Sequence, residues 1–140
     1  MNVLIDTNVI MDEFLEREPF FEESRKVIQM CADGKINGFL AAHTVTNLFY
    51  ALRKDFTVAK RRDMLLGLFN FFSVVNIDTS KLIRALLNED FKDFEDRLQV
   101  ECAAAIDADY IITRDKNDFA SSEIPCVTPA EFCELLKGAE

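Results

Sequence analysis

The sequence predicts an α/β fold: a single-domain, three-layer α/β/α structure with a short, central and mainly parallel sheet. Short apolar runs that end in polar residues alternate with longer amphipathic segments, as in strands joined by crossover helices. The chain has 140 residues, of which 49% are hydrophobic, and this suits one compact domain with a buried core. Because no repeat, low-complexity stretch or linker interrupts the pattern, we expect residues 1–140 to form one domain.

The first strand is predicted at Val3-Leu4-Ile5, a continuous apolar run typical of a strand buried on both faces. Asp6 ends this strand, and Thr7 or Asn8 can cap the helix that follows. In open α/β sheets, ligands bind beyond the carboxyl ends of the strands. Asp6 therefore stands at the edge where a functional site would form.

The next elements are recognised by their end signals. Pro19 suits the first turn of a second helix, and Gly34 ends that helix. Residues 38–41 form a short apolar strand, and His43-Thr44 begins a third helix. A further helix is predicted from Lys60 to Phe71.

The second half of the chain repeats the alternation. Residues 74–77 read as a strand, and Asp78-Thr79-Ser80 caps the next helix. Residues 93–105 form a helix with acids at its start, where the helix dipole favours carboxylates. Leu98, Cys102 and Ala105 are expected to face inward on this helix. Strands at 109–113 and 124–127 and a helix at 129–136 complete the predicted elements.

Composition limits the classes of function. A formal net charge of −9 argues against a protein that holds nucleic acid by broad electrostatic attraction alone. No apolar run is long enough for a membrane span, and we expect no signal peptide, because the N-terminus lacks the basic and apolar regions of one. The four cysteines show no C-x-x-C spacing, so we expect reduced thiols in a cytoplasmic protein, with Cys31 and Cys102 in the core.

Three acids are expected to meet at one rim of the sheet. Asp6 and Asp115 follow two predicted strands, and Asp96 lies in the acid-headed helix between them. Neighbouring carboxylates repel each other unless a cation neutralises them, and Mg²⁺ prefers such oxygen ligands. The pattern therefore predicts a site for a hard cation, which can bind a phosphodiester and activate water for in-line attack. The simpler interpretation is that Asp6 merely caps the first helix.

At this point the sequence resembles the PIN-domain ribonucleases, a family that includes VapC-type toxins. The opening motif of apolar strand, Asp, Thr and Asn appears as Leu4-Ile5-Asp6-Thr7-Asn8. The third acid of the family, at the head of an Ala-rich helix, matches Asp96. The late Thr-x-Asp pattern with a nearby Phe matches Thr113-Arg114-Asp115 and Phe119. The resemblance covers nearly the whole chain, although each motif alone is weak.

The resemblance implies a fold, an activity and a set of residue roles. It implies cleavage of RNA with Mg²⁺ or Mn²⁺, with Asp6 and Asp96 as direct ligands and Asp115 completing the site. Asp118 competes with Asp115 as the late acid, and Asp93 supports Asp96 from one helical turn before it. Asn8 and Thr113 would orient the carboxylates or the scissile phosphate, and Thr7 is a further supporting residue. It also implies an antitoxin partner and a homodimer. The Phe-rich segment 65–72 is expected to form core or dimer interface.

One position departs from the family pattern. Many members carry a Glu on the helix after the second strand, where this chain has Asn47. Asn offers an oxygen but no charge. Three interpretations stay open: the change weakens the binding of a second metal ion, it marks a branch with a different set of acids, or it marks an inactive relative. His43, the only histidine, has no Ser, Cys or second His partner in the sequence, and we expect a structural role for it.

Two other functions compete with the nuclease. A phosphatase of the haloacid dehalogenase type also places an Asp after its first strand, but it needs Asp-x-Asp, and this chain has Asn8 at the second position. A noncatalytic PIN-like module that binds RNA or protein is favoured by Asn47 and by the acidic charge. Metal binding without turnover would distinguish the module from the enzyme.

Overall fold

The computed structural model describes residues 1–139 of the chain. The strands and helices, in order, are β1 (Asn2–Ile5), α1 (Thr7–Phe14), α2 (Phe21–Ala32), β2 (Asn37–Ala41), α3 (Ala42–Ala51), α4 (Val58–Leu68), β3 (Phe72–Val75), α5 (Thr79–Leu87), α6 (Phe94–Ala105), β4 (Tyr110–Ile112), β5 (Cys126–Val127) and α7 (Pro129–Ala139). Short 3₁₀ turns lie at Leu52–Lys54 and Lys116–Phe119. None of these helices is long and apolar enough to cross a bilayer.

The strands form one parallel sheet in the order β3-β2-β1-β4-β5. The central strand is β1, whose Leu4 pairs with Phe39 of β2 and with Ile111 of β4. The backbone N–H of Asp6 extends the pairing by donating to the Ile112 carbonyl at 2.9 Å. The carboxyl ends of β1 and β4 therefore lie side by side, and the predicted parallel sheet is confirmed.

Successive residues of β1 enter different cores, which accounts for the three layers. Val3 and Ile5 pack into a core with Val27 of α2 and Phe132 of α7. Leu4 packs on the opposite face, in a core that includes Val100 and Cys102 of α6. Each of these side chains is almost completely buried, and burial of an aliphatic side chain contributes about 1.5–3 kcal/mol. The predicted three-layer α/β/α arrangement is confirmed.

The predicted start of the second helix is wrong. Helix α2 begins at Phe21, and Pro19 precedes it, joined to Glu18 by a cis peptide bond. The Arg17 carbonyl accepts from the N–H groups of Phe20 and Phe21, so a turn occupies the place where the first helical turn was expected. The end signal is correct, because α2 finishes just before Gly34, which has a φ of +73°.

The boundary between the fourth helix and its strand is also wrong. Helix α4 ends at Leu68, and Phe72, expected next to a helix end, begins β3. Phe72 pairs with Gly38 of β2, where a Cβ atom would lie 2.6 Å from the Phe72 ring. The glycine therefore makes room for this ring, and β3 spans Phe72–Val75 instead of 74–77.

Two smaller expectations on α6 and the cysteines have mixed outcomes. Leu98 and Cys102 are buried as predicted, but Ala105 is exposed because the helix ends there and Ala103 faces the core instead. All four cysteines are free thiols, and Cys31 and Cys102 are buried as expected.

Candidate active site

Asp6 lies at the carboxyl end of the central strand and is the N-cap of α1, the role expected of Thr7 or Asn8. Its Oδ1 accepts from the Thr7 N–H at 2.8 Å, and its Oδ2 accepts from the Thr113 hydroxyl at 2.8 Å. The residue is only 8% exposed. Capping therefore explains one of these hydrogen bonds, while the burial and the Thr113 contact join Asp6 to the neighbouring strand end.

Asp96 faces Asp6 from the first turn of α6. Asp93 is the N-cap of this helix, and its Oδ1 accepts from the Asp96 N–H at 3.0 Å. Within residues 1–139, no protein hydrogen bond ends on the Asp96 carboxylate itself. Asp93 thus has a structural task, while the carboxylate of Asp96 is left available to a ligand.

The loop after β4 contributes both late acids. The Thr113 hydroxyl accepts from the Asp115 N–H at 3.1 Å, and the Asn8 amide donates to Asp115 Oδ2 at 2.9 Å. Asp115 also lies 3.7 Å from the Arg114 guanidinium. Asp118 follows in the 3₁₀ turn and raises the pKa of both Asp6 and Asp96 by its charge. Asp115, whose charge also raises the pKa of Asp6, is therefore held by its neighbours, whereas the Asp118 carboxylate accepts no protein hydrogen bond within residues 1–139.

Asn47 meets an acid from the opposite helix. Its side-chain amide donates to Glu95 Oε2 at 3.2 Å, so a carboxylate stands beside the position where Glu was expected on α3. His43 Nε2 lies 3.1 Å from the Glu95 carbonyl oxygen, and burial lowers the pKa of the His43 ring. The structure thereby places the Glu95 carboxylate at this site.

These side chains line one open pocket of about 330 Å³. Its lining residues are Asp6, Thr7, Asn8, Met11, Arg17, His43, Asn47, Asp93, Glu95, Asp96, Gln99, Asp115 and Asp118. Every predicted site residue is among them except Thr113, which lies beneath the pocket floor and is bonded to Asp6. The sequence interpretation missed Arg17, Glu95 and Gln99. Gln99 could have been found, because it lies one helical turn after Asp96 among apolar positions.

The pocket concentrates negative charge. Burial, followed by the charge of Asp93, raises the pKa of Asp96 to about 7. Burial also raises the pKa of Asp6 to about 6, against the opposing effect of the Thr113 hydrogen bond. A divalent cation would relieve this repulsion, because it stabilises the ionised forms.

The donor set fits a hard divalent cation by its chemistry. The side chains that face the pocket offer mainly carboxylate oxygens, which Mg²⁺ and Mn²⁺ prefer. Within residues 1–139, no three His, Cys, Asp or Glu side chains are already close enough to form a metal cage. An ion that keeps several waters needs only two or three carboxylates.

The fold and the sequence both match known proteins. The chain is 28% identical over 138 residues to Ribonuclease VapC1 of Aquifex aeolicus, covering 94% of this chain and 93% of the relative. Similar solved structures include a toxin–antitoxin complex from Klebsiella pneumoniae, with a TM-score of 0.68, 23% identity and coverage of 91% of this chain and 97% of that chain. VapBC2 from Rickettsia felis, bound to a DNA fragment from its promoter, gives a TM-score of 0.69 with 13% identity and coverage of 91% and 98%.

The family assignment rests on the family model. The model for the PIN domain matches residues 2–117, which include β1, α6 and the acids Asp6, Asp96 and Asp115. The resemblance noted in the sequence is thereby confirmed. The chain belongs to the PIN domain family.

Proposed function

We propose that this chain is a metal-dependent endoribonuclease and the toxin of a toxin–antitoxin pair. One observation carries the proposal: the buried Asp6 shares an oxygen-lined pocket with Asp96 and Asp118 on a PIN fold. The name of the curated relative, Ribonuclease VapC1, supports RNA as the substrate. The similar toxin–antitoxin complexes support an antitoxin partner. The family assignment gives no support to a phosphatase of the haloacid dehalogenase type.

The carboxylates have distinct roles in this proposal. Asp6 and Asp96 bind the cation directly, and Asp118 is the third acid because it lines both this pocket and the neighbouring groove and, within residues 1–139, its carboxylate accepts no protein hydrogen bond. Asp115 is a supporting acid, since Asn8 and Arg114 already engage its oxygens. Bound Mg²⁺ or Mn²⁺ would supply Lewis-acid stabilisation of charge on the scissile phosphate.

The surroundings of the pocket suit a polymeric substrate. A second groove of about 350 Å³ shares Asp93, Asp96 and Asp118 with the pocket and continues to Phe91 and Ser121. An RNA chain lying in this groove would bring one phosphodiester over the acids. Arg17 is the one cation that lines the pocket within residues 1–139. It pairs with Asp12 at 3.6 Å, and its side chain is 42% exposed and so accessible to a phosphate oxygen.

A noncatalytic PIN-like module is the second candidate, and Asn47 is the observation that favours it. The charge missing at Asn47 is offset in part by Glu95, whose carboxylate accepts from the Asn47 amide. We therefore favour the enzyme. An antitoxin that covers the acidic rim, a homodimer and a cytoplasmic location, where free thiols stay reduced, complete the proposal.

The test is cleavage of RNA by the purified protein with Mg²⁺, Mn²⁺ or EDTA. We expect cleavage with either metal, none with EDTA, and a loss of about 100-fold or more for Asp6→Asn and Asp96→Asn, because each change removes a ligand charge. Asp63→Asn is the matched control, since Asp63 is an exposed acid of α4 outside the pocket.

Three outcomes separate the candidates. Cleavage that survives both pocket substitutions would reject the assigned site. A folded protein that binds metal without cleaving any RNA would favour the noncatalytic module. Loss of cleavage in Asp63→Asn as well would show that the change of charge alone explains the effect.

A further inference from the structure

Gln99 is a buried amide at the floor of the pocket. It lies on α6 and is 2% exposed. Its Nε2 donates to Thr44 Oγ1 at 2.9 Å and to Asp6 Oδ1 at 3.3 Å. The side chain therefore joins α6 and α3 to the acid at the end of the central strand.

The amide oxygen of Gln99 is left without a partner. Its Oε1 is buried, and no hydrogen-bond donor reaches it within residues 1–139. Rotating the amide would not solve this, because it would place the oxygen against the Asp6 carboxylate, which can only accept when ionised. Asp6 therefore fixes the orientation of the amide, and the orphaned oxygen is the cost of that donation.

Stability alone does not explain Gln99. Asp6 keeps hydrogen bonds from Thr7 and Thr113 without it, and Thr44 keeps the hydroxyl of Thr7 at 3.1 Å. An apolar side chain of the same length would remove the unpaired oxygen and leave these partners satisfied. Because the replacement would leave neither Asp6 nor Thr44 wholly unpaired, a purely structural requirement would be met without glutamine here.

The donation to Asp6 has a consequence for ligand binding. A carboxylate offers about four acceptor positions. Oδ1 accepts from Thr7 and Gln99, whereas Oδ2 accepts from Thr113 alone. With Oδ1 engaged by two donors, the position that stays open is on Oδ2.

We propose that Gln99 is a positioning residue, which holds Asp6 so that Oδ2 is presented to the divalent cation. The inference rests on the proposed function, because it takes Asp6 as a metal ligand. Residues that orient metal ligands through hydrogen bonds commonly change metal affinity or activity by about 10–100-fold when they are replaced.

The test compares Gln99→Met with the wild-type chain in the absence and in the presence of RNA. The probe is Mn²⁺, titrated calorimetrically into RNA-free protein. We expect the Mn²⁺ affinity to fall about tenfold, with the midpoint of thermal unfolding without metal unchanged or raised. In the cleavage assay, we expect kcat to fall at least about tenfold while KM for RNA stays within about threefold.

Cys102→Ala is the control for a buried change on the same helix. Cys102 lies one turn beyond Gln99, is fully buried and contacts the second core instead of the pocket. Its Mn²⁺ affinity should match that of the wild-type chain. If Gln99→Met fails to fold, Gln99→Leu also lacks the amide donor and is more compact, and kcat should again fall about tenfold.

The outcomes distinguish this inference from the proposed function. A Gln99→Met protein with wild-type Mn²⁺ affinity and wild-type kcat overturns the positioning role alone. If Gln99→Met fails to fold and Gln99→Leu retains full kcat, the role is overturned as well. A wild-type chain that binds Mn²⁺ but cleaves no RNA overturns the ribonuclease, while weaker Mn²⁺ binding by Gln99→Met still supports the role of Gln99.

Discussion

Asp6 and Asp96 are carboxyl groups whose pKa values lie near neutrality, at about 6 and about 7. Burial is the main cause for both groups, and the surrounding acids add to it. In the folded chain these two carboxyls keep protons that they release near pH 4 in the unfolded chain. The free energy of unfolding of the metal-free protein therefore falls as the pH rises from about 4 to about 7. Above this window both states are ionised, and this contribution is constant.

This linkage predicts that Asp96→Asn stabilises the metal-free protein at pH 8. The expected gain is on the order of 1 kcal/mol, since solvent screens a half-buried group, and it should vanish near pH 4. Thermal unfolding in EDTA from pH 4 to pH 8 measures it, with Asp63→Asn expected to follow the wild-type chain. An Asp96→Asn protein less stable than wild type at pH 8 would contradict the account.

Single residues show where sequence reasoning succeeds and where it ends. The meeting of Asp6 with Asp96 and Asp115 could be predicted, because the carboxyl ends of neighbouring parallel strands lie together. The contact between Asn47 and Glu95 could not, because it depends on how α3 packs beside the start of α6. Their separation of 48 residues leaves no local pattern to detect.

The first turn of α6 is the element on which the site depends most. Asp93 caps this helix by accepting from the Asp96 N–H, so the cap fixes the backbone that carries Asp96, the proposed metal ligand. Helix α5 has the same kind of cap, in which Asp78 Oδ1 accepts from the Lys81 N–H at 3.0 Å. The two caps allow the effect on stability to be separated from the effect on the site.

We predict that Asp93→Ala and Asp78→Ala each destabilise the protein by about 1 kcal/mol through loss of an N-cap. Only Asp93→Ala should also reduce RNA cleavage, because only that cap positions Asp96. Denaturant unfolding and cleavage assays at a temperature where both variants are folded measure the two effects. Equal loss of cleavage in both variants would show that stability alone is responsible.

Element boundaries were harder to predict than element types. All the strands and main helices were expected, but the end of α4 was misplaced because apolar residues continue from the helix into the strand, interrupted only by Gly67 and Asn70. The start of β3 is fixed by the pairing of Phe72 with Gly38 in the neighbouring strand, since only a glycine leaves room there for the Phe72 ring. Such a constraint between strands is invisible in a single stretch of sequence.

At the scale of the whole molecule, α5 leaves apolar side chains in water. Ile83, Leu86 and Leu87 lie on adjacent turns and are all exposed, Leu87 by 75%. Exposed apolar patches of this kind commonly mark association surfaces. A homodimer, expected from the family resemblance, would cover them.

We predict that Leu87→Lys weakens self-association without lowering the stability of the monomer, because so exposed a side chain contributes little to the folded core. Light scattering across a range of protein concentrations measures the association. Lys137→Leu, an exposed change on α7, should leave it unaltered. Unchanged association of Leu87→Lys would place the dimer interface elsewhere.

At the scale of the whole molecule, we propose that the packing of α6 on the sheet brings Asp96 to Asp6, and that the two carboxylates hold a divalent cation. The most direct test is a crystal structure grown with Mn²⁺, with the ion located by its anomalous scattering. We predict a peak in contact with both carboxylates, and none there in Asp96→Asn crystals grown in the same way. A pocket without an anomalous peak at millimolar Mn²⁺, or an ion bound away from both acids, would contradict it.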